Sequence, residues 1–116
     1  MPYHHSWDIV VVPFPFTHQK TSKVRPAVIV STDTLRQRNG KYIVAMITSA
    51  SNAAQYGDVA ISELATAGLP AASVVRPSKL AVIEENDIYK RVGTLPKSER
   101  HQVSQQLRQY LHIETK

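Results

Sequence analysis

Apolar residues along this chain gather in short runs rather than at helical spacing. Ile9-Val10-Val11-Val12 is a β-branched run opened by Asp8 and closed by Pro13-Phe14-Pro15-Phe16, and proline cannot donate to a sheet ladder. The pattern predicts a strand that leaves its sheet through an extended segment. Ala27-Val28-Ile29-Val30-Ser31 and Tyr42-Ile43-Val44-Ala45-Met46-Ile47 predict two buried strands, being short and rich in branched residues. Asp58-Val59-Ala60-Ile61-Ser62 alternates as a strand does. After turn chemistry at Gly68-Leu69-Pro70, Ser73-Val74-Val75-Arg76 and Lys79-Leu80-Ala81-Val82-Ile83 read as short strands around Pro77, since proline interrupts a ladder. Tyr89-Lys90-Arg91-Val92, stopped by Gly93, is a further candidate.

The polar stretches between these runs have their own character. Thr17 to Val24 is an exposed basic loop, and Thr32 to Lys41 is a second one, part of which can turn helically. Ala50 to Tyr56 is built of small residues and is expected to be mobile. Helical periodicity emerges after Pro96, which suits a first helical turn, where Val103, Leu107, Tyr110 and Leu111 recur at spacings of three and four and give one apolar stripe. Many short strands and one terminal helix, without crossover helices, predict a mostly β fold: a small antiparallel barrel or curled sheet.

A length of 116 residues suits one domain, residues 1–116, with a modest core that a subunit interface could supplement. The net charge of +5 and pI near 9.7 favour a polyanionic partner, because clustered cations gain by displacing counterions from phosphates. There is no cysteine, which removes disulfides, thiolate metal sites and a cysteine nucleophile. Met1 to Ser6 lacks the charged-then-apolar order of a leader, and no run approaches the roughly 20 apolar residues of a membrane span. A soluble, cytoplasmic protein is expected.

Glycine-rich phosphate loops, the G-x-S-x-G elbow and the H-E-x-x-H pair are absent, so common nucleotide-hydrolase and metalloprotease readings fail. The histidines, His4, His5, His18, His101 and His112, are scattered, and their spacing suggests no metal site. What remains is a set of polar residues directly attached to buried runs: Arg25, Thr48 and Ser49. Groups at strand ends are rigidly held, as catalysis requires. The plainer reading is an exposed charge before a proline and two hydroxyls that satisfy turn backbone.

Three ordered motifs add to this reading. Asp8-Ile9-Val10-Val11-Val12-Pro13-Phe14-Pro15-Phe16-Thr17, then Val24-Arg25-Pro26-Ala27-Val28-Ile29-Val30-Ser31, then Ile47-Thr48-Ser49 resemble the MazF/PemK family of toxin–antitoxin ribonucleases. Gly68-Leu69-Pro70 leading into Ser73-Val74-Val75-Arg76, and Arg91-Val92-Gly93-Thr94-Leu95 before the helix, match as well, so the resemblance runs from Asp8 to Leu111. It implies an SH3-like barrel with a C-terminal helix and a homodimer with RNA along its interface. It further implies an antitoxin whose flexible tail blocks the groove, and cleavage of single-stranded RNA without a metal or other cofactor.

By motif, Arg25, Thr48 and Ser49 take the catalytic positions. The implied route is attack of the RNA 2′-hydroxyl on the adjacent phosphorus, leaving a cyclic phosphate and a free 5′-hydroxyl. Arg25 suits charge stabilisation, and the hydroxyls suit orientation and hydrogen bonding. Arginine is a poor proton shuttle, so the base is unassigned, with His18 a candidate because imidazole titrates near neutrality. His18, Lys20, Lys23, Arg36, Arg38, Arg76 and Ser78 form the RNA-binding set; Trp7 and Tyr56 could stack on a base.

Two departures stand out. The glycine usual before Asp8 is Trp7, and the acidic residue that some relatives carry two positions after the Val-Val-Arg arginine is Ser78, so no carboxylate role transfers. Two other functions remain open: a CcdB-like toxin acting on DNA gyrase, and a basic SH3-like module that binds nucleic acid without cutting it.

Overall fold

Branched residues at alternating positions allow a strand to bury both of its faces, and β1 (Asp8–Pro13) does so. Ile9 enters one apolar cluster while Val10 and Val12 enter another, as a period of two requires. In the computed structural model, which describes residues 3–13 and 24–114, the same division runs through β2 (Val24–Ile29) and β3 (Lys41–Ser49). Val28, Ala45 and Ile47 join the first cluster, and Ala27, Ile29, Tyr42, Val44 and Met46 the second. Fully burying side chains of this size stabilises by about 1.5–3 kcal/mol each, so these central strands fix the frame.

The remaining elements among the described residues are β4 (Val59–Ala60), β5 (Ser73–Glu84), β6 (Lys90–Thr94), α1 (Asp33–Asn39), α2 (Leu64–Ala67), α3 (Lys97–Tyr110) and a short 3-10 turn at Glu85–Asp87. The six strands form one sheet, ordered β4-β5-β3-β2-β1-β6 and antiparallel throughout. They curl into a half-barrel, the mostly β architecture with a C-terminal helix that the sequence predicts. Among the described residues no helix is long and apolar enough to cross a membrane.

Several boundaries differ from the sequence reading, each for a tertiary reason. The runs on either side of Pro77 belong to one twelve-residue strand, β5. Its register against β3 jumps from Ala45↔Leu80 to Met46↔Arg76, so Pro77, Ser78 and Lys79 form a bulge, where a missing N–H is tolerated. β6 continues through Gly93 to Thr94 instead of stopping before it. The expected strand 58–62 is reduced to Val59–Ala60, and α2 occupies Leu64–Ala67, for which no element was expected, just before the turn read at Gly68-Leu69-Pro70. The exit of β1 beyond Pro13, and most of the first basic loop, fall outside the described residues.

Trp7 answers the question raised by its substitution for glycine. It adopts φ 73°, the left-handed region that costs a non-glycine residue roughly 1–2 kcal/mol. Its N–H donates to the Ile29 carbonyl at 2.7 Å, and its carbonyl accepts from Leu95 N at 2.9 Å and Thr94 Oγ1 at 3.1 Å. The ring packs against the first cluster. The glycine-like turn is therefore kept, and contacts on both sides of the peptide offset its strain.

Two anchors position the loops near the ends of β3. Gly93 lets α2 lie on β6: a Cβ there would stand 2.4 Å from the backbone carbon and oxygen of Ala67. The loop from Ala50 to Gly57, expected to be mobile, is instead tied down by Arg76. Its Nε and Nη2 donate to the two Asp58 carboxylate oxygens at 3.0 Å, and Nη2 also donates to the Ala53 carbonyl at 2.9 Å. Asp58 in turn accepts from Gln55 N at 2.9 Å. From the other side, the Tyr110 hydroxyl of α3 donates to the Tyr56 carbonyl at 3.1 Å. The front of the predicted stripe, Val103 and Leu107, packs into the first cluster, while Tyr110 and Leu111 emerge at the surface.

Two measurements check these anchors. Gly93→Ala should lower unfolding free energy by about 2 kcal/mol, as overpacking against fixed backbone does, read by urea denaturation; wild-type stability would mean α2 can retreat freely. Asp58→Ala should cost about 3 kcal/mol by leaving a buried guanidinium unpaired. The Arg76 guanidinium holds the Asp58 carboxyl below the usual carboxylate range. The stability from this shift is present above the unfolded value of about 3.9 and is lost as pH falls through the lower folded value. Unfolding measured against pH should accordingly show a shallower acid limb in Asp58→Ala, and parallel limbs would refute the linkage.

Candidate active site

Arg25 and Thr48 come from different strands, and one register relates them. β2 pairs with β3 through Ala27↔Met46, Val28↔Ala45 and Ile29↔Val44. Continued by two residues, that register sets Arg25 opposite Thr48 and Pro26 opposite Ile47. Pro26 has no N–H to extend the ladder, so the strands are free to part at this point. By alternation Arg25 shares a face with Ala27 and Ile29, and Thr48 shares the same face with Met46 and Val44. Directly opposed side chains on one face have Cβ atoms about 5 Å apart.

Both residues line one shallow groove of about 290 Å³ with Val24, Pro26, Ile47, Ser49 and the wall Leu69 to Ser73. That wall is the connection from α2 to β5, entered through Gly68, whose φ of 73° closes the helix. Thr48 is buried, with 4% exposure. Its Oγ1 accepts a hydrogen bond from Asn52 Nδ2 at 2.6 Å. Ser49 is exposed, and its Oγ accepts from Ser51 N at 3.2 Å and lies 2.8 Å from Ser51 Oγ. The structure thus brings a cationic residue and two hydroxyl residues, Arg25, Thr48 and Ser49, to the lining of one groove. Such a set can bind an anion and stabilise added negative charge on it.

The residues expected to contact RNA are dispersed. His18, Lys20 and Lys23 lie outside the described residues. Arg76, expected to contact RNA, is buried at 7% exposure, and its guanidinium is engaged by Asp58 and the Ala53 carbonyl. Ser78 is exposed in the β5 bulge. Arg36 and Arg38 sit on α1, which leads into Lys41 at the start of β3. Thr48 is at that strand's other end, roughly 23 Å away at the usual rise.

Around Arg36 lies a separate cluster, with partners too distant in the chain to be expected from local pattern. The guanidinium stacks 4.5 Å over the Tyr3 ring and reaches Asp33 at 3.8 Å. The neighbouring Tyr42 hydroxyl donates to Glu85 at 2.7 Å. Burial and that hydrogen bond push the Tyr42 phenol up to about 12. Tyr56 is well exposed in its loop, and Trp7 is taken up by the core. Among the described residues no group of three or more His, Asp or Glu is arranged to hold a metal ion.

Sequence reasoning missed Asn52 and Asp58. Asn52 lies four residues after Thr48, a spacing that signals nothing in an irregular loop, and Asp58 gains meaning only from Arg76, eighteen residues later.

Solved structures of other proteins share this fold. The chain is similar in fold to MazF of Deinococcus radiodurans, with a TM-score of 0.73 at 15% identity over 92% of this chain and 94% of that one. It is likewise similar to the Mycobacterium tuberculosis toxin MazF-mt6, with a TM-score of 0.69 at 21% identity over 86% and 91%. A third similar structure is an endoribonuclease in complex with its cognate antitoxin from a mycobacterial species, with a TM-score of 0.70 at 11% identity over 92% and 91%. No curated protein sequence matches significantly. The sequence profile of the PemK-like, MazF-like toxins of type II toxin–antitoxin systems matches residues 5–111. That span includes the strands carrying Arg25 and Thr48, and the chain belongs to this toxin family.

Proposed function

We propose that this chain is a sequence-selective endoribonuclease toxin that cuts single-stranded RNA by attack of a 2′-hydroxyl on the adjacent phosphorus. The observation that carries the reading is the shared groove of Arg25, Thr48 and Ser49, on a chain whose family consists of toxins. In this route the nucleophile comes from the RNA. The bond from the 2′-oxygen to phosphorus forms, the bond to the 5′-oxygen breaks, and the products are a cyclic phosphate and a 5′-hydroxyl. The protein's task is to align these atoms and stabilise the extra charge on the phosphoryl oxygens.

Arg25 supplies paired N–H donors suited to two phosphoryl oxygens. Thr48 and Ser49 supply hydroxyl hydrogen bonds that orient the phosphate. A guanidinium holds its proton too firmly to act as the base, and His18 is the candidate for that role. Unpaired bases would be read in pockets or by stacking along the groove. We assign the protein to the cytoplasm as a homodimer, with an antitoxin whose flexible, acidic tail competes for the groove that holds Arg25. The antitoxin-bound mycobacterial relative is consistent with such a partner.

The test is incubation with a mixed-sequence single-stranded RNA in EDTA. Discrete cuts bearing cyclic phosphate ends are expected. Arg25→Ala should lower kcat about 100-fold or more, and Thr48→Val, which removes the hydroxyl but keeps the shape, about tenfold or more, the scale of a lost charge-stabilising donor. RNA recovered intact across diverse sequences would point to gyrase inhibition or binding without cleavage.

A further inference from the structure

We propose that Asn52 is a positioning residue that fixes the direction of the Thr48 hydroxyl, making it a hydrogen-bond donor to the phosphate in the groove. This rests on the nuclease reading above and concerns a residue outside the family motifs that point to the site.

A threonine hydroxyl has one proton and two lone pairs, and a side-chain NH2 can only donate. Because Asn52 Nδ2 lies 2.6 Å from Thr48 Oγ1, the oxygen is the acceptor in that contact. Its own proton then points elsewhere. Among the described residues Thr48 Oγ1 has no other hydrogen-bond partner. Thr48 lines the groove and Asn52 does not, so the unused proton is available on the groove side, where an anion would accept it.

Asn52 is held firmly enough to impose this choice. Its backbone N–H donates to the Ser49 carbonyl at 3.1 Å, and the Ala50 N–H donates to Ala72 at 3.0 Å. The next residue, Ala53, is gripped through its carbonyl by Arg76 at 2.9 Å. Bonds from the sheet and from the buried ion pair thus bracket the side chain. Ser49 differs, since its hydroxyl is shared with Ser51, and either oxygen can be the donor in that pair.

Asn52→Asp tests the polarity, because a carboxylate of nearly the same shape can only accept and would draw the Thr48 proton away from the groove. Asn52→Ala releases the hydroxyl to rotate. Steady-state cleavage of a single-stranded RNA is measured for both variants, alone and combined with Thr48→Val, with folding checked by thermal unfolding. The expected order of kcat is wild type above Asn52→Ala above Asn52→Asp, the last reduced about tenfold with KM within about twofold, in line with one misdirected hydrogen bond. In the Thr48→Val background neither Asn52 change should lower kcat further.

An Asn52→Asp loss that persists in that background would be a charge or folding effect and would overturn the proposal. So would full activity of Asn52→Asp, or activity of Asn52→Ala at or below that of Asn52→Asp. Intact RNA with the wild type would instead overturn the nuclease reading, and a fully active Thr48→Val would leave that reading standing but remove the role of the Thr48 hydroxyl, and that of Asn52 with it.

Discussion

The pairing of β2 with β3 is the constraint on which the site depends. Their register is set by apolar side chains that must reach the correct one of two clusters, and a slip by one residue would turn every one of them to the opposite face. Ala27, Val28 and Ile29 against Met46, Ala45 and Val44 leave little freedom to slip. Core burial therefore determines where Arg25 and Thr48 stand, although neither contributes to the clusters. Pro26 adds a second effect. By withholding an N–H from the ladder, it marks where sheet geometry ends and a groove can open.

A cation and hydroxyls at such a position have less solvent competition than they would on a free loop, and they need little rearrangement to meet a ligand. The buried Arg76 and Asp58 pair extends this rigidity past the end of β3 into the loop that carries Asn52. A pair of this kind contributes more to specifying one loop conformation than to net stability, since desolvation offsets most of the Coulomb attraction. The left-handed Trp7 does comparable work on the other side of β1, joining Ile29 to Leu95 at one residue. Strain is localised there, where backbone contacts and a packed indole ring hold it.

Basic residues distribute themselves differently from the simple picture of a positive stripe. Arg76 is buried, Arg36 is stacked on Tyr3, and Arg91 is paired with Asp8 at 3.0 Å. A net charge of +5 is thus compatible with structural roles for several of the cations that composition would assign to RNA. Arg25 differs from these in lining the groove itself.

The sequence by itself determined most of the strands, the mostly β class and the terminal helix after Pro96, and it singled out Arg25, Thr48 and Ser49 as candidates for the site. Each of these follows from local signals: runs of branched residues, prolines, three-and-four spacing, and motifs contiguous in the chain. Tertiary structure decided the rest. It merged two runs into β5 through a bulge, turned a loop of small residues into a tethered support, and withdrew Arg76 from the surface. It also brought Asn52 to Thr48. These outcomes depend on partners distant in sequence or lying in irregular backbone, where no periodicity relates one side chain to another, so only the folded chain could bring them together.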